Sequence, residues 1–128
     1  MKTKFEIEIL LKTSPRVLED KLTTQSGLSE WFAENVNAQN DIYEFWWSGS
    51  SEKAKLQALK PGSKIRFKWL SDEDAESYFE MNFASDPMTN IVCLTVTDFA
   101  EEDDLDDSKL LWEQNINDLV RLLGAELT

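Results

Sequence analysis

The sequence of 128 residues predicts an α+β fold, in which a curved antiparallel sheet of six to seven strands surrounds a long C-terminal helix and two short helices follow the first strand. Two observations lead to this prediction. Short segments with alternating apolar and polar residues recur through the first hundred residues, as in half-buried strands. Residues 106–123 then carry a single apolar stripe at the helical period, and such a stripe must be buried against another element. The sheet provides that surface.

The C-terminal helix is predicted from the spacing of its apolar residues. The stripe consists of Trp112, Ile116, Leu119, Val120 and Leu123. Glu113, Asn117 and Arg121 fall on the opposite face. Six carboxylates between Glu101 and Asp107 precede or begin the helix, where they favour the positive N-terminal end of its dipole.

The first strand and the two short helices are predicted from the N-terminal third. Phe5, Ile7, Ile9 and Leu11 alternate with charged residues, which is typical of a half-buried strand. Ser14 and Pro15 have the residue types of a helix N-cap and first helical position. We expect a break at Ser26-Gly27, and then a second short helix bearing Leu28, Trp31 and Phe32.

Further strands are predicted at residues 42–47, 53–58, 64–69, 79–83 and 91–99. Residues 48–51 contain a glycine and indicate a hairpin loop, and Pro61-Gly62 has the order that a type II turn requires. Residues 72–76 are predicted to form a solvated acidic turn. Hairpin connections join antiparallel strands, so we expect an antiparallel sheet.

Composition restricts the class of protein. The length predicts one domain over residues 1–128, and an apolar fraction of 41% with five tryptophans supports a hydrophobic core. A net charge of −12 repels phosphate backbones and anionic headgroups, so we expect no nucleic-acid partner and no membrane insertion. The charge is typical of a soluble surface, with an acidic face for a basic partner as the alternative. Since no signal-peptide pattern or membrane-length segment is present, we expect a cytoplasmic protein.

Few residues suited to catalysis or cofactor binding are present. The chain has no histidine, which excludes serine–histidine and cysteine–histidine catalysis and histidine metal sites. Four glycines form neither a phosphate loop nor a dinucleotide motif. Cys93 lies in an apolar run and is interpreted as a small buried hydrophobe. We therefore expect no catalytic residues and no cofactor, and a non-enzymatic protein is favoured.

One segment approaches a calcium-binding pattern. Glu102, Asp104, Asp106 and Glu113 match positions 1, 3, 5 and 12 of a calcium loop, but Asp107 stands where the loop needs glycine. The residues before this segment are predicted to form a strand rather than a helix. We therefore interpret these carboxylates as partners of the helix dipole and expect no metal site.

The aromatic residues are the remaining indication of function. Many fall on predicted inward faces, which ordinary core packing explains. A curved sheet closed by one helix can also enclose a cavity, and ligand cavities are typically apolar and lined by aromatic rings. The residues predicted to line such a cavity are Trp47, Phe67, Phe79, Trp112, Ile116 and Val120.

Three parts of the chain resemble one protein family. They are residues 14–24 with residues 27–33; Phe45, Trp47 and Gly49 with residues 59–69; and Trp112, Leu119, Leu122, Leu123 and Gly124. The first has a serine-proline helix start, a threonine turn and a tryptophan-phenylalanine pair. Together they resemble the START-like (SRPBCC, helix-grip) superfamily. The resemblance is nearest to the domain related to the activator of the heat-shock-protein-90 ATPase, in a compact bacterial form.

The resemblance implies the helix-grip fold and several kinds of function. Members of the superfamily bind lipids, hormones or polyketides, or serve as co-chaperones. The leading hypothesis is a module that binds a small apolar or amphipathic molecule between helix and sheet. The alternative is a protein-interaction module that acts through its acidic surface and exposed residues such as Trp46 or Tyr78. An enzyme of the cyclase or hydrolase type ranks third, because no residue matches the polar catalytic groups of enzymatic members.

Overall fold

The computed structural model describes residues 2–127, which form one antiparallel sheet, three α-helices and a 3₁₀ turn. The strands are β1 (Lys2–Lys12), β2 (Asn35–Gln39), β3 (Ile42–Trp47), β4 (Ser50–Lys60), β5 (Lys64–Trp69), β6 (Phe79–Asp86), β7 (Ile91–Glu101) and β8 (Glu126–Leu127). The helices are α1 (Pro15–Thr23), α2 (Gln25–Leu28) and α3 (Leu105–Leu123), and the 3₁₀ turn is Glu102–Asp104. The predicted fold class is confirmed, and the two-residue β8 is added at one edge. Met1 and Thr128 of the predicted domain lie outside the described residues.

The strand order is β2-β3-β4-β5-β6-β7-β1-β8. Strands β2 to β7 follow one another as hairpins, and β1 pairs with β7 along its whole length. The chain must therefore pass from β1 across the sheet to the opposite edge at β2, and α1 and α2 make this connection. Among residues 2–127, no helix is long and apolar enough to cross a membrane.

The concave face of the sheet and α3 enclose the core. Trp112, Ile116 and Leu119 of α3 are buried, and Val120 and Leu123 are partly buried against the same cluster, so the predicted stripe is confirmed. On β5, Ile65 and Phe67 are buried. The fully buried side chains on the concave face of the sheet include Leu11, Phe45, Ala54, Phe79, Met81, Val92 and Leu94.

Two predicted turns are confirmed in detail. Ser48 and Gly49 both have positive φ, 47° and 84°, as a two-residue type I′ hairpin requires. This turn pairs Trp47 with Ser50 and so places both on the same face. Gly62 has a φ of 77°, and the Ser63 N–H donates to the Lys60 carbonyl oxygen at 3.0 Å, closing the turn before β5.

Several local predictions were wrong. The alternation of β4 is shifted by a β-bulge between Leu56 and Ala58. Cys93 lies on the outer face of β7, where it is partly exposed, because Val92 and Leu94 take the inward positions. Trp31 and Phe32 follow α2 in a turn rather than a longer helix. Strand β2 was not predicted as a separate element, since its outward residues at a sheet edge are polar.

Gly27 is part of α2 and does not interrupt it. Thr24 accepts a hydrogen bond from the Gly27 N–H at 2.9 Å and caps the helix. A Cβ atom on Gly27 would lie 2.2 Å from the Asp20 carbonyl oxygen and 2.7 Å from the Lys21 Cα. A glycine is therefore required because the backbones of α1 and α2 meet here.

We expect Gly27→Ala to destabilise the protein by about 1–3 kcal/mol, because the new methyl group overlaps backbone atoms that cannot rotate away. The matched control is Ser26→Ala at the exposed neighbouring position, with an expected change within about 0.5 kcal/mol. Urea unfolding followed by circular dichroism measures both. Equal stability of the two variants would contradict the close approach of the helices.

Candidate functional site

The main candidate site is a groove of about 520 Å³ between the N-terminal half of α3 and the β3–β4 hairpin. It lies on one flank of α3, and it is open to solvent. The hairpin contributes its turn end, α3 contributes one face, and β5 and β7 contribute inward-facing residues. The lining residues are Phe32, Trp47, Ser50, Glu52, Trp69, Asp98, Ser108, Leu111, Trp112, Gln114 and Asn115.

Four aromatic rings form a continuous wall of this groove. The ring centroids of Trp69 and Trp47 are 6.1 Å apart, those of Trp47 and Phe32 are 5.8 Å apart, and those of Phe32 and Trp112 are 5.5 Å apart. Phe32 and Trp112 are buried, while Trp47 and Trp69 are partly exposed. The wall therefore offers apolar ring surface to a ligand and is anchored in the core at the same time.

Two of the indole N–H groups are used inside the protein. Trp47 donates from Nε1 to the Phe32 carbonyl oxygen at 3.0 Å. Trp112 donates from Nε1 to Oδ2 of Asp98 at 2.8 Å. These hydrogen bonds fix the orientation of both rings, so the wall is preformed.

Asp98 is the buried carboxyl group of the groove. It stands on β7 at an inward position of the same strand face as Val96 and Ala100, which are both buried. Burial raises the pKa of Asp98; hydrogen bonds from the Trp112 indole and the Phe99 backbone N–H and the charge of Lys2 oppose this rise. The Phe99 N–H lies 2.7 Å from Oδ1. Asp98 therefore links the groove floor to α3 through Trp112.

The rim of the groove is polar apart from Leu111. Ser50 and Glu52 come from β4, and Ser108, Gln114 and Asn115 come from α3. Leu111 is 62% exposed. An apolar wall with a polar rim is the usual composition of a site for a small ligand.

A second groove of about 440 Å³ adjoins the first, since both are lined by Glu52 and Trp69. Its other lining residues are Lys2, Ser71, Asp72, Glu73, Asp74 and Glu101. It is therefore an acidic continuation of the aromatic groove.

The segment predicted as a solvated acidic turn is instead well organised around Asp72 and Lys68. Asp72 pairs with Lys2 at 3.1 Å and accepts a hydrogen bond from the Ser77 hydroxyl. The Lys68 Nζ donates to the Ser77 carbonyl oxygen at 2.9 Å and to the Asp74 carbonyl oxygen. Burial acts to raise the pKa of Asp72, but hydrogen bonds from Ser77, Asp74 and Lys2 outweigh it and lower the pKa to about 2.

The residues predicted to line a cavity are divided between the groove and the core. Trp47 and Trp112 lie in the groove wall. Phe67 and Phe79 are fully buried and stack at 5.1 Å beneath it, and Ile116 is buried on the inner face of α3. Val120 is partly buried against the same core.

Sequence reasoning missed most of the groove lining, although two of its acidic residues had a detectable signal. Asp98 interrupts an inward series of apolar residues on β7, where a carboxylate is unexpected. Glu52 faces inward because the two-residue turn fixes the register of β4, pairing Glu52 with Phe45. Trp69 was predicted to face inward and Phe32 to lie on the second short helix, but nothing in the sequence indicated that the two rings share a wall.

The other singled-out residues lie away from the groove. The residues of the calcium-like pattern lie in the 3₁₀ turn and in α3, whose first turn carries Asp106 and Asp107 at the positive end of the helix dipole. Within residues 2–127, no cluster of three or more acidic, cysteine or histidine side chains is arranged to hold a metal ion. Tyr78 is half-buried on the outer face of the sheet, between the Arg66 guanidinium at 3.8 Å and the Phe99 ring at 5.0 Å. Trp46 is half-buried on the same face.

Comparison with known proteins gives a family and several similar structures. The START-like superfamily domain model matches residues 1–125. A Bacteroides fragilis protein solved by NMR is 33% identical, with 94% of this chain and 90% of that chain covered and a TM-score of 0.65. No curated protein matches the sequence at a significant level.

Two further solved structures share the fold at lower identity. Aha1 from Colwellia psychrerythraea, solved as a dimer, is 18% identical with a TM-score of 0.75 and 96% of both chains covered. An HSP90 activator from Plasmodium falciparum is 18% identical with a TM-score of 0.74, covering 98% of this chain and 99% of that chain. At this identity the likeness concerns the fold alone.

Trp112 anchors α3 through both ring packing and its bond to Asp98. We expect Trp112→Ala to lower the free energy of unfolding by about 3–5 kcal/mol, the usual effect of removing a large buried aromatic. Trp112→Phe keeps a ring but leaves Asp98 short of a donor, and we expect a loss of about 1–3 kcal/mol. Leu111→Ala, at the exposed neighbouring position, is the control. Chemical denaturation measures all three, and a loss below about 1 kcal/mol for Trp112→Ala would contradict its anchoring role.

The lowered pKa of Asp72 makes its contribution to stability pH-dependent. Because the pKa falls from 3.8 to about 2 on folding, the ionised carboxylate stabilises the fold above about pH 4, and this contribution is lost as the pH falls toward 2. We expect Asp72→Asn to destabilise by about 1 kcal/mol near neutral pH, a modest value because solvent screens the pair, and the difference to vanish in acid. The control is Glu73→Gln at the exposed adjacent residue. A constant difference between wild type and Asp72→Asn from neutral pH to acid would contradict the linkage.

Proposed function

Because the chain belongs to the START-like superfamily, we propose that it binds a small apolar or amphipathic molecule in the groove between α3 and the β3–β4 hairpin. One observation carries the proposal: the groove of about 520 Å³ has a wall of four contacting aromatic rings. Ligand sites commonly measure about 300–1,000 Å³. The groove is therefore large enough for a drug-sized molecule.

The side chains explain why the ligand would be apolar or amphipathic. Trp47 and Trp69 keep part of their ring surface in contact with solvent, and a ligand covering them gains roughly 25 cal/mol for each Å² of apolar surface removed from water. Ser50, Ser108 and Asn115 at the rim can form hydrogen bonds with a polar end group. The anchored rings lose little freedom on binding, which favours affinity.

Binding of N-phenyl-1-naphthylamine, a neutral apolar fluorescent dye, tests the proposal. Asn115 lines the groove, whereas Asn117 on the same helix is exposed and does not. We expect the wild type to enhance dye fluorescence, Asn115→Trp to weaken dye binding by about tenfold or more by filling the groove, and Asn117→Trp to leave it unchanged. Circular dichroism establishes that both variants are folded. A wild type that binds no dye, or equal binding by both variants, would remove the groove as the site.

A protein partner is the second candidate function. Leu110 and Leu111 are adjacent on α3 and are 55% and 62% exposed, and Leu111 lies at the groove rim. With a net charge of −12, the surface suits a basic apolar partner. The fold shared with an HSP90 activator is compatible with a co-chaperone-like accessory role. Native mass spectrometry of freshly purified protein distinguishes the two, since a retained small molecule supports the first function and a retained protein the second.

A further inference from the structure

We propose that the aromatic groove selects ligands that carry an ammonium-type cation on an apolar body. This inference rests on the proposed binding function and specifies the chemical class of its ligand. The groove combines three tryptophans and one phenylalanine with the carboxylates of Glu52 and Asp98. Among the lining residues that the structure describes, none is a lysine or an arginine.

The two partly exposed tryptophans are arranged to contact one cation together. The Trp47 and Trp69 centroids are 6.1 Å apart and their ring planes are inclined by 58°. An ammonium group is attracted to an aromatic ring within about 6 Å of the centroid, and tryptophan attracts it most strongly. A single methylated ammonium that lies in the groove against both rings would therefore be attracted by each of them.

The carboxylates add charge on the same concave face. Glu52 lies on β4 one inward position from Ala54, which pairs with Trp69. The side-chain carboxylate of Glu52 forms no ion pair or hydrogen bond with a residue that the structure describes. It is therefore free to accept a cation beside the tryptophan pair.

The charge of Lys2 reaches Asp98 from the adjoining groove, but among the described residues that line the aromatic groove no cationic side chain stands beside Asp98. Its two carboxyl oxygens accept hydrogen bonds from the neutral N–H groups of Trp112 and Phe99. Asp98 forms no ion pair with any residue that the structure describes. Because burial disfavours its ionised form, a bound cation would compensate a charge that the empty groove leaves poorly solvated. An anionic ligand would instead place a second negative charge beside this carboxylate.

Two cationic side chains of the surrounding elements have partners outside the aromatic groove. Lys2 lies in the adjoining acidic groove and pairs with Asp72 at 3.1 Å. Lys109 lies over the Phe5 ring at 6.0 Å, on the β1 side of α3. A fatty-acid carboxylate would find no described lysine or arginine in the groove lining, and two carboxylates would repel it.

Three probes of equal chain length test the inference by isothermal titration below their micellar concentrations: decyltrimethylammonium, decanol and decanoate. We expect the ammonium probe to bind about tenfold tighter than decanol, and decanoate to bind more weakly than decanol. Trp69→Leu keeps an apolar side chain but removes the aromatic face. It should reduce the preference for ammonium over decanol by about threefold or more.

The matched charge variants are Glu52→Gln in the groove and Glu113→Gln on the exposed face of α3, which change the net charge equally. We expect Glu52→Gln to weaken ammonium binding by about threefold to tenfold and to change decanol binding by a smaller factor, whereas Glu113→Gln should alter neither. The comparison is made at low and at high salt, because attraction by net charge alone is screened by salt.

The outcomes separate this inference from the proposed function. Equal or tighter binding of decanol or decanoate would overturn the cation preference but leave a ligand groove. Equal effects of the two glutamate variants would assign the preference to net charge and also overturn the inference. If none of the three probes binds, both the inference and the proposed function are wrong.

Discussion

The ring of Phe32 connects the three parts of this fold. It follows α2, and its centroid lies 5.2 Å from Phe45 of β3, 5.7 Å from Phe79 of β6 and 5.5 Å from Trp112 of α3. Its backbone is also held, since its N–H donates to the Leu28 carbonyl oxygen and its own carbonyl accepts from Trp47. Phe32 both packs in the core and lines the groove. The shape of the groove therefore depends on how the connection formed by α1 and α2 packs against the sheet.

The position of the groove follows from how α3 crosses the sheet. The helix packs against β7 and β1, near one side of the sheet. On the other side of the sheet, the concave surface of β3, β4 and β5 is covered by side chains such as Phe32 and Trp47 rather than by the backbone of α3. Aromatic rings fill the centre, and the space that remains opens beside the β3–β4 hairpin. A packed core and an open groove therefore exist side by side under one helix.

The sequence predicted the fold well because strand and helix periods are local signals. Alternation assigned Ile65 and Phe67 to the interior, and the helical stripe assigned Trp112, Ile116 and Leu119 to one buried face. The two-residue β8 and the β-bulge near Leu56 were missed, because neither has a local pattern of its own.

The groove was harder to predict because its walls come from distant segments. Trp47 and Trp112 were predicted as cavity residues and both line the groove. The position of α3 decides which of the other inward-facing residues are in contact with solvent. The apolar periodicity of the sequence does not predict that position. Asp98 could have been found as a carboxylate on an apolar strand face, since its place beside Val96 and Ala100 follows from alternation alone.

The division between core and groove also has an evolutionary consequence. Ser50, Glu52, Gln114 and Leu111 line the groove from exposed positions, whereas Phe67 and Phe79 are sealed beneath it. Substitutions at exposed positions usually change stability by less than about 0.5 kcal/mol. Substitutions at the rim can therefore change the shape and charge of the groove while the fold keeps its stability. Substitutions in the aromatic core, by contrast, leave cavities or overpack it and typically lose several kcal/mol, so the groove lining can change more readily than the architecture.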